Sequence, residues 1–336
     1  MLEGIPFYDY VVTKDIFNEI ESFENISIQI TKTENNIIIQ FKNTFPSNLF
    51  YYIDEDGKYY LSLLEDNLAT YLKENNICEV KDNPEYQAWI DLKKADKMNW
   101  STGLLKTNKY IPIKRIYKLW NKIIVNPDCT FDVDYVIDDE IATVPIRNAG
   151  EIIKNWIIKY RDIFRSHNPQ DFIFELSAGL DSRALTWFWR YNSEQYRVYS
   201  KVHKDELPIA KEVAKRLPIG EFITSKKGIN GITVSGIGNS SKSFNDRDIF
   251  EHYAGIHHSK HLIKDVCPYL DRDFLKVYGD YPQQVKLVIQ ILLAEDLIDI
   301  PYMTWMDKHF WFTENSIREC KTIINKWLKI NIDDLK

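Results

Sequence analysis

The segment at residues 177–182, Ser-Ala-Gly-Leu-Asp-Ser, carries the residue types that bind phosphate and a divalent cation. It lies between a run typical of a buried strand and a run with the period of a helix. Backbone N–H groups and two hydroxyls therefore gather where an anion is favoured. Gly179 lets the backbone approach phosphates closely. Asp181 would repel phosphates unless it coordinates the Mg²⁺ that accompanies them, so the spacing predicts a site for pyrophosphate and magnesium.

The same segment also has a simpler interpretation. Any turn from a strand into a helix can carry Ser and Gly, with Ser177 or Asp181 capping the helix. The segment is not a Walker A loop, because no Gly-Lys-Ser or Gly-Lys-Thr follows it. Arg183 is open to two interpretations in the same way: it either reaches a phosphate or lies on the solvated surface of the helix.

The sequence around this segment alternates between patterns typical of strands and patterns typical of helices. We expect strands at residues 171–176 and 196–202, and helices at residues 183–191 and 206–217. This alternation predicts an α/β fold with a doubly wound parallel sheet. The part from residue 246 to the end is expected to be mainly helical.

The chain before this region shows a different pattern, with short alternating apolar runs and a hairpin turn at residues 54–58. It predicts a smaller, β-rich α+β domain. Helical periodicity begins after about residue 140, so we expect two domains, at residues 1–140 and 141–336. The expected strands of the first domain lie at 26–30, 37–41, 49–53, 59–63, 115–120 and 123–125, and its helices at 67–73 and 84–94.

Length and charge exclude some classes of function. A chain of 336 residues exceeds what one core usually supports, which agrees with two domains. The net charge of −6, with acids and bases interspersed, makes nucleic acid a poor partner. No stretch is apolar enough to cross a membrane, so we expect a cytoplasmic protein. The four cysteines are far apart, and we expect thiols rather than disulfides or a zinc site.

Three segments together resemble a known family. Residues 177–182 resemble the S-G-G-x-D-S loop of ATP pyrophosphatases, residues 234–240 resemble the S-G-x-G-x-D-E segment of asparagine synthetases, and residues 267–273 resemble their P-F-L-D-R segment. The first half resembles the glutaminase domain of that family at residues 51–53 and 106–111. Such a glutaminase needs cysteine as its first mature residue. Leu2 stands there, so the resemblance implies a degenerate glutaminase domain.

The resemblance implies an ATP-dependent amide synthetase that adenylates a carboxylate, releases pyrophosphate and then AMP, and joins the acyl group to an amine or ammonia. Relatives act in specialised metabolite, modified peptide or surface-sugar biosynthesis, and include β-lactam synthetases and lasso peptide macrolactam synthetases. ATP and Mg²⁺ are the implied cofactors. The implied partners are a small-molecule or peptide carboxylate and an amine, and a homodimer or a biosynthetic partner protein is compatible with them. The residues assigned to ATP are Leu176, Ser177, Gly179, Asp181, Ser182, Arg183, Val202, Gly236 and Gly238, with Asp181 also assigned to the metal.

Two further residues are assigned to catalysis. Lys308 would stabilise charge on the adenylate and pyrophosphate, although it can equally be a solvated lysine, and Lys286 competes for the role. Asp271 would orient the site, or it caps the helix that starts at Arg272. Gly236 and Gly238 would let the backbone approach the nucleotide, or form a simple turn.

The sequence departs from the family pattern at several positions. Ala178 replaces a loop glycine, Ile237 replaces a polar residue, and Ser240 and Ser241 replace an acidic pair. These departures keep a second hypothesis open, a degenerate homologue that binds a nucleotide or a partner without turnover. A third, an enzyme that thiolates or amidates a nucleic-acid base, agrees less well with the acidic charge.

A histidine cluster offers a different kind of site. Four histidines fall within ten residues, and neighbours at this spacing can bind zinc. No H-E-x-x-H pattern accompanies them, so a solvated or substrate-facing helix is the simpler interpretation. The cluster consists of His252, His257, His258 and His261.

Overall fold

The structure is a computed structural model, and its described residues form two compact units. Those up to Tyr135 belong to one unit and those from Thr143 onward belong to the other. The described residues are Phe7 and residues 11–24, 28–41, 49–94, 107–116, 120–135, 143–190, 196–200, 205–225, 231–236, 265–278, 282–303 and 309–336.

In its described residues, the first unit contains antiparallel sheets and two α-helices. Its strands are β1 (Val12–Thr13), β2 (Phe23–Glu24), β3 (Ile28–Lys32), β4 (Ile37–Phe41), β5 (Phe50–Ile53), β6 (Tyr59–Ser62), β7 (Lys81–Asp82), β8 (Tyr110–Ile111), β9 (Lys114–Arg115), β10 (Trp120–Val125) and β11 (Phe131–Tyr135). Its helices are α1 (Glu65–Glu74), α2 (Pro84–Lys94) and a 3₁₀ turn at Phe17–Glu19. The strand orders are β1-β6-β5-β9, β11-β10-β4-β3-β2 and β7-β8.

Alternation along the strands explains how these layers pack. Successive side chains of a strand point to opposite faces. On β6, Tyr60 packs in a cluster with Leu68 and Leu72 of α1. Leu61 points the other way and packs in a cluster with Ile39 and Ile123 of the second sheet. The sheet that contains β6 therefore lies between a helix and another sheet, which is why its strands are apolar on both faces.

The second unit is built around a parallel sheet. Its strands are β12 (Phe172–Glu175), β13 (Tyr196–Tyr199), β14 (Ile219–Ile223), β15 (Ile232–Val234), β16 (Asp265–Val266), β17 (Tyr302–Met303) and β18 (His309–Phe310). Its α-helices are α3 (Gly150–Arg165), α4 (Leu180–Leu185), α5 (Trp187–Arg190), α6 (Glu206–Ala214), α7 (Arg272–Tyr278), α8 (Pro282–Ala294) and α9 (Glu314–Thr322), which runs into a π-helical segment at Ile323–Leu328. Short 3₁₀ turns lie at Ile146–Asn148, Pro169–Asp171, Pro268–Leu270, Glu295–Leu297 and Ile332–Leu335.

The order of the parallel strands creates a switch point. The sheet runs β14-β13-β12-β15-β16, and all of its pairs are parallel. From β12 the chain moves outward to β13 and β14, and it then returns to the other side of β12 as β15. The strand order therefore reverses direction between the neighbouring strands β12 and β15. In open parallel α/β sheets, ligands bind outside the carboxyl ends of the strands at such a point.

An aromatic core supports the sheet from α3. The period of three and four residues predicted a helix there, and the residues on that face are buried. The indole of Trp156 stacks on Phe274 with ring centroids 4.3 Å apart, and its Nε1 donates to Pro268 O at 2.7 Å. This packing fixes α7 and the turn before it. The buried face comprises Ile153, Trp156, Ile157, Tyr160 and Phe164.

The observed elements confirm a mixed α/β protein with one parallel sheet. Strand β4 and helix α2 have their predicted bounds. The helix expected at residues 183–191 instead begins at Leu180 and divides into α4 and α5. The part expected to be mainly helical also contains β16 and the antiparallel pair β17–β18. Among the described residues, every helix is too short or too polar to span a membrane.

Candidate functional site

In the segment after β12, backbone N–H groups donate hydrogen bonds to the segment's own serine hydroxyls. Ser177 N donates to Ser182 Oγ at 3.0 Å, and the two serine hydroxyls lie 3.0 Å apart. Gly179 N donates to Ser177 Oγ at 3.1 Å. Gly179 occupies the N-cap position of α4, and Asp181 lies within its first turn. The alternative in which Ser177 or Asp181 caps this helix is therefore wrong, because a residue with no side chain holds the cap.

Asp181 forms an ion pair with a lysine from α8. Lys286 Nζ lies 2.8 Å from Asp181 Oδ2, and the two side chains are only 13% and 16% exposed. Water is therefore largely excluded from the pair. A charge pair in such a setting interacts more strongly than one in solvent, but each member has also lost hydration. A cation is thus held beside the segment that was predicted to bind pyrophosphate.

A buried tyrosine fixes the backbone of the same turn. Tyr269 donates its hydroxyl hydrogen to Asp181 O at 2.9 Å. Burial raises the pKa of Tyr269 well above its usual value, and the nearby Asp181 carboxylate adds to the effect. The phenol therefore stays protonated and remains a donor, so the P-Y-L-D-R segment holds the first turn of α4 in place.

Gly236 brings the end of β15 against α4. A Cβ at this position would lie 2.6 Å from Ser182 N and 2.7 Å from Ser182 Cα. These are backbone atoms and cannot rotate away, so only glycine fits. The first and second sequence motifs are therefore adjacent in space, as neighbouring strands β12 and β15 require. The close approach that the sequence predicted for Gly236 is a contact with protein backbone.

The arginine that follows the segment is not on the surface. Arg183 is completely buried, and its two terminal nitrogens donate to four backbone carbonyl oxygens. Burial lowers the pKa of its guanidinium to about 10, which still leaves it charged at neutral pH. The interpretation as a solvated surface arginine is wrong. The predicted phosphate contact is also unsupported, since all four terminal N–H groups already have acceptors.

Leu176 contributes to the hydrogen bonding of the parallel sheet. It is buried, and its N–H donates to Tyr199 O at 2.8 Å, which extends the β12–β13 pairing by one residue.

Asp271 performs the capping role that the sequence analysis gave as the alternative. Its Oδ1 accepts from Asp273 N at 3.0 Å and from Phe274 N at 3.3 Å, at the start of α7. Its Oδ2 accepts from Lys159 Nζ at 2.6 Å and from the Tyr160 hydroxyl at 3.3 Å. Both oxygens of a 4% exposed carboxylate are thus engaged within the protein. Asp271 positions α7, and the structure lends no support to a catalytic role.

Several predicted residues lie outside the described residues. Among the assigned site residues these are Val202, Gly238 and Lys308. Ile237, Ser240 and Ser241, together with the four clustered histidines, also lie outside the described residues.

From the sequence, Lys286 was expected only as a competitor of Lys308. A signal for its position was present, because Lys286 is the single charged residue in the otherwise apolar and amide-bearing helix α8. A lone charge on such a helix needs a partner, and Asp181 supplies it. Tyr269 was quoted only as part of a motif, and nothing local identified it as a donor to α4.

The segment at residues 177–182 contains oxygen atoms of kinds that can bind a divalent cation. Asp181 provides a carboxylate, and Ser177 and Ser182 provide hydroxyl oxygens. In the part of the chain that the structure describes, no three His, Cys, Asp or Glu side chains come together as a metal cage. In proteins, Mg²⁺ is commonly held by one or two carboxylates together with substrate phosphates and water.

No protein-family model and no curated protein matches this chain.

Proposed function

We propose that this chain is an ATP-dependent amide synthetase of the asparagine-synthetase-like type. The observation that carries the proposal is the position of the Asp181–Lys286 pair at the switch point between β12 and β15. In open parallel α/β sheets, ligands bind in the crevice at such a point. A doubly wound sheet of the ATP-pyrophosphatase kind would place pyrophosphate there.

Different side chains of the site would bind the pyrophosphate and its metal ion. Lys286 would neutralise part of its negative charge, and the hydroxyls of Ser177 and Ser182 would donate to its oxygens in place of their present hydrogen bonds. Asp181 would coordinate Mg²⁺, which supplies charge neutralisation at the phosphates when bound. The ion pair at 2.8 Å keeps Asp181 oriented before the metal arrives. Preorganised charge of this kind is worth most where water is excluded.

The reaction that fits this site has two displacement steps. A substrate carboxylate oxygen attacks the α-phosphorus of ATP, the bond to the β-phosphate oxygen breaks, and pyrophosphate leaves. An amine then attacks the acyl carbon of the adenylate, the bond to AMP breaks, and the amine releases a proton. The protein's part is to hold the reacting groups together and to stabilise negative charge. The substrates would be a small-molecule or peptide carboxylate with an amine or ammonia.

The first unit agrees with a degenerate glutaminase domain in general architecture. It contains two antiparallel sheets whose inner faces share one apolar core. The ammonia or amine would come from solution or from a second substrate.

One observation favours a second candidate function, a homologue that binds without turnover. The N–H groups of Ser177 and Gly179 donate to hydroxyls within the segment itself. A closed segment of this kind can be a structural remnant of a nucleotide site. The two candidates differ in whether pyrophosphate is produced.

The test measures nucleotide binding and product formation separately. ATP with Mg²⁺ is titrated calorimetrically into the wild type, Asp181→Ala and Lys286→Met. Asp162→Ala is the matched control, because Asp162 is an exposed carboxylate of the same unit, paired with its neighbour Arg161. Pyrophosphate release is then assayed with pooled carboxylic acids and amines.

We expect metal-dependent binding in the wild type and the control, and at least tenfold weaker binding in the two site variants. Pyrophosphate should be released only when substrates are present. Equal binding by Asp181→Ala and wild type, or no binding to either, would refute the assignment of this segment to ATP. Binding without pyrophosphate release under any substrate pool would favour the homologue without turnover.

A further inference from the structure

Arg183 connects two segments that are far apart in the sequence. Its Nη2 donates to Ala178 O at 3.3 Å, inside the segment after β12, and to Pro301 O at 2.6 Å, just before β17. Its Nη1 donates to Ile300 O at 2.7 Å and to Leu297 O at 3.3 Å. One side chain of α4 thus joins the candidate nucleotide segment to the stretch that leads from α8 into β17.

A second hydrogen bond reinforces the same connection. Met303 N donates to Ala178 O at 3.0 Å, so this carbonyl accepts from both β17 and Arg183. Strand β17 pairs with β18, where Tyr302 stacks on Phe310 with ring centroids 5.8 Å apart. The position of Ala178 and the position of the β17–β18 hairpin are therefore set by the same group of atoms.

The buried charge is stabilised by the carbonyl groups it contacts. Leu297 ends the 3₁₀ turn that extends the C-terminal end of α8, where partial negative charge favours a cation, and Ile300 lies three residues later. Within the described part of the chain, the hydrogen bonds of the guanidinium go to backbone carbonyls and not to a carboxylate. A buried charge is costly, and the four hydrogen bonds of the terminal nitrogens, together with the charge of Asp299, which favours the charged guanidinium, offset that cost.

Lysine cannot reproduce this arrangement. The guanidinium offers terminal N–H groups on two nitrogens in a fixed plane, so it reaches Ala178 on one side and Ile300 on the other. An ammonium group concentrates its donors on a single nitrogen and would serve one side of the junction.

We propose that Arg183 is a positioning residue that fixes the β17–β18 hairpin as a further wall of the nucleotide site. This role rests on the proposed function, because the wall matters for binding only if ATP occupies the switch point. Arg183 itself acts through Ala178 and Met303, since its terminal donors are already used. Loss of the guanidinium fork would release β17 from Ala178 and loosen the site without removing any group that contacts ATP.

The experiment compares Arg183→Lys with Arg216→Lys by hydrogen–deuterium exchange and by titration with Mg²⁺ and ATP. Arg216 is the matched control, because it binds the same connecting stretch from outside. It donates to Asp296 O at 3.0 Å and forms a two-pronged ion pair with Asp299, and it is partly exposed. It makes none of the contacts to Ala178 that Arg183 makes.

In Arg183→Lys we expect the Met303 amide to exchange at least tenfold faster than in wild type, with unchanged exchange in α3. The affinity for ATP should fall at least tenfold, and Arg216→Lys should leave both quantities unchanged. A lower melting temperature with unchanged exchange at Met303 would overturn the proposal, because Arg183 would then only fill space. If Arg183→Lys does not fold, exchange is measured in the wild type alone. A wild-type Met303 amide that exchanges as fast as exposed amides would also overturn the proposal.

The two readouts separate this proposal from the proposed function. Exchange at Met303 requires no nucleotide, so it tests the connection between Arg183 and β17 directly. Absence of ATP binding in wild type would refute the proposed function. Faster exchange at Met303 together with unchanged ATP affinity would refute the role of the hairpin as a wall.

Discussion

Replacing Gly236 by alanine tests the close contact between β15 and α4. The added Cβ would lie 2.6 Å from Ser182 N and 2.7 Å from Ser182 Cα. Ordinary contacts between such atoms are about 3.5 Å or longer, so the two backbones must separate by roughly 0.8 Å. Neither atom belongs to a flexible side chain. The strand or the helix must therefore move, and with it the first turn that contains Asp181 and Ser182.

The expected loss of stability follows from this displacement. Adding a methyl group to a well-packed core typically costs about 1–3 kcal/mol, and the backbone nature of the contact puts this site near the upper end. Loss of glycine flexibility in the unfolded chain offsets about 0.4–1 kcal/mol, provided that the native backbone angles suit alanine. The net expectation is a destabilisation of about 2 kcal/mol. For a unit of this size that corresponds to a fall in melting temperature of about 4–8 °C.

The assay is thermal unfolding of Gly236→Ala beside Gly179→Ala as the matched control. Gly179 has φ −78° and ψ 166°, which alanine adopts readily. Its added Cβ would approach only Ser177 Oγ, at 3.2 Å, and that hydroxyl can rotate. We expect Gly179→Ala to change stability by less than about 1 kcal/mol. Titration with Mg²⁺ and ATP on the same samples then measures whether the displaced turn weakens nucleotide binding.

Equal melting temperatures for the two alanine variants would refute the reasoning. That result would mean that β15 and α4 can move apart without a loss in the free energy of unfolding, and that Gly236 is not required for packing. A large loss of stability in Gly179→Ala alone would contradict the contact distances in the same way.

Two further predictions concern single carboxylates. Burial raises the pKa of Glu65 to about 7 from an ordinary value of 4.5, against the opposing hydrogen bond from Tyr110 N. Between pH 4.5 and pH 7, the Glu65 carboxyl therefore keeps its proton in the folded protein but loses it in the unfolded chain. Stability from this group is fully present below pH 4.5 and is lost as pH rises to 7, by about 3 kcal/mol. Glu65→Gln should remove that loss, as urea unfolding at pH 5 and pH 8 would measure; an unchanged pH dependence would contradict it. Asp271→Ala should cost about 2–3 kcal/mol in urea unfolding, because it removes the cap of α7 and the buried carboxylate that accepts from the Tyr160 hydroxyl. Asp271→Asn, which keeps a capping oxygen, should cost less, and equal losses would argue against the cap.

Local patterns in the sequence were sufficient for many of the elements. Strand β4 and helix α2 were predicted with their observed bounds, because alternation and helical period are properties of neighbouring residues. The alternation of strands and helices after residue 170 likewise predicted the parallel sheet. In the second unit, strands β14 to β18 were not predicted. Strands β16, β17 and β18 have two residues each, which is too short to show a period.

The helix start was misplaced for a related reason. Gly179 as N-cap gives no side-chain signal, so the sequence pattern placed the helix at residue 183 rather than at Leu180. Arg183 was expected in solvent or on a phosphate because arginine is rarely buried. Its burial depends on carbonyl groups near residue 300, which no local pattern brings to α4.

By itself the sequence determined the composition of the segment at residues 177–182 and the order of the motifs. It also determined the alternation of strands and helices that places this segment after a parallel strand. Only the tertiary structure decided which groups meet there. Lys286 reaches Asp181 because α8 packs on α4, and Gly236 reaches Ser182 because β15 lies beside β12. These contacts join residues far apart in the chain. They follow from strand order and helix packing, which depend on the whole core rather than on neighbouring residues.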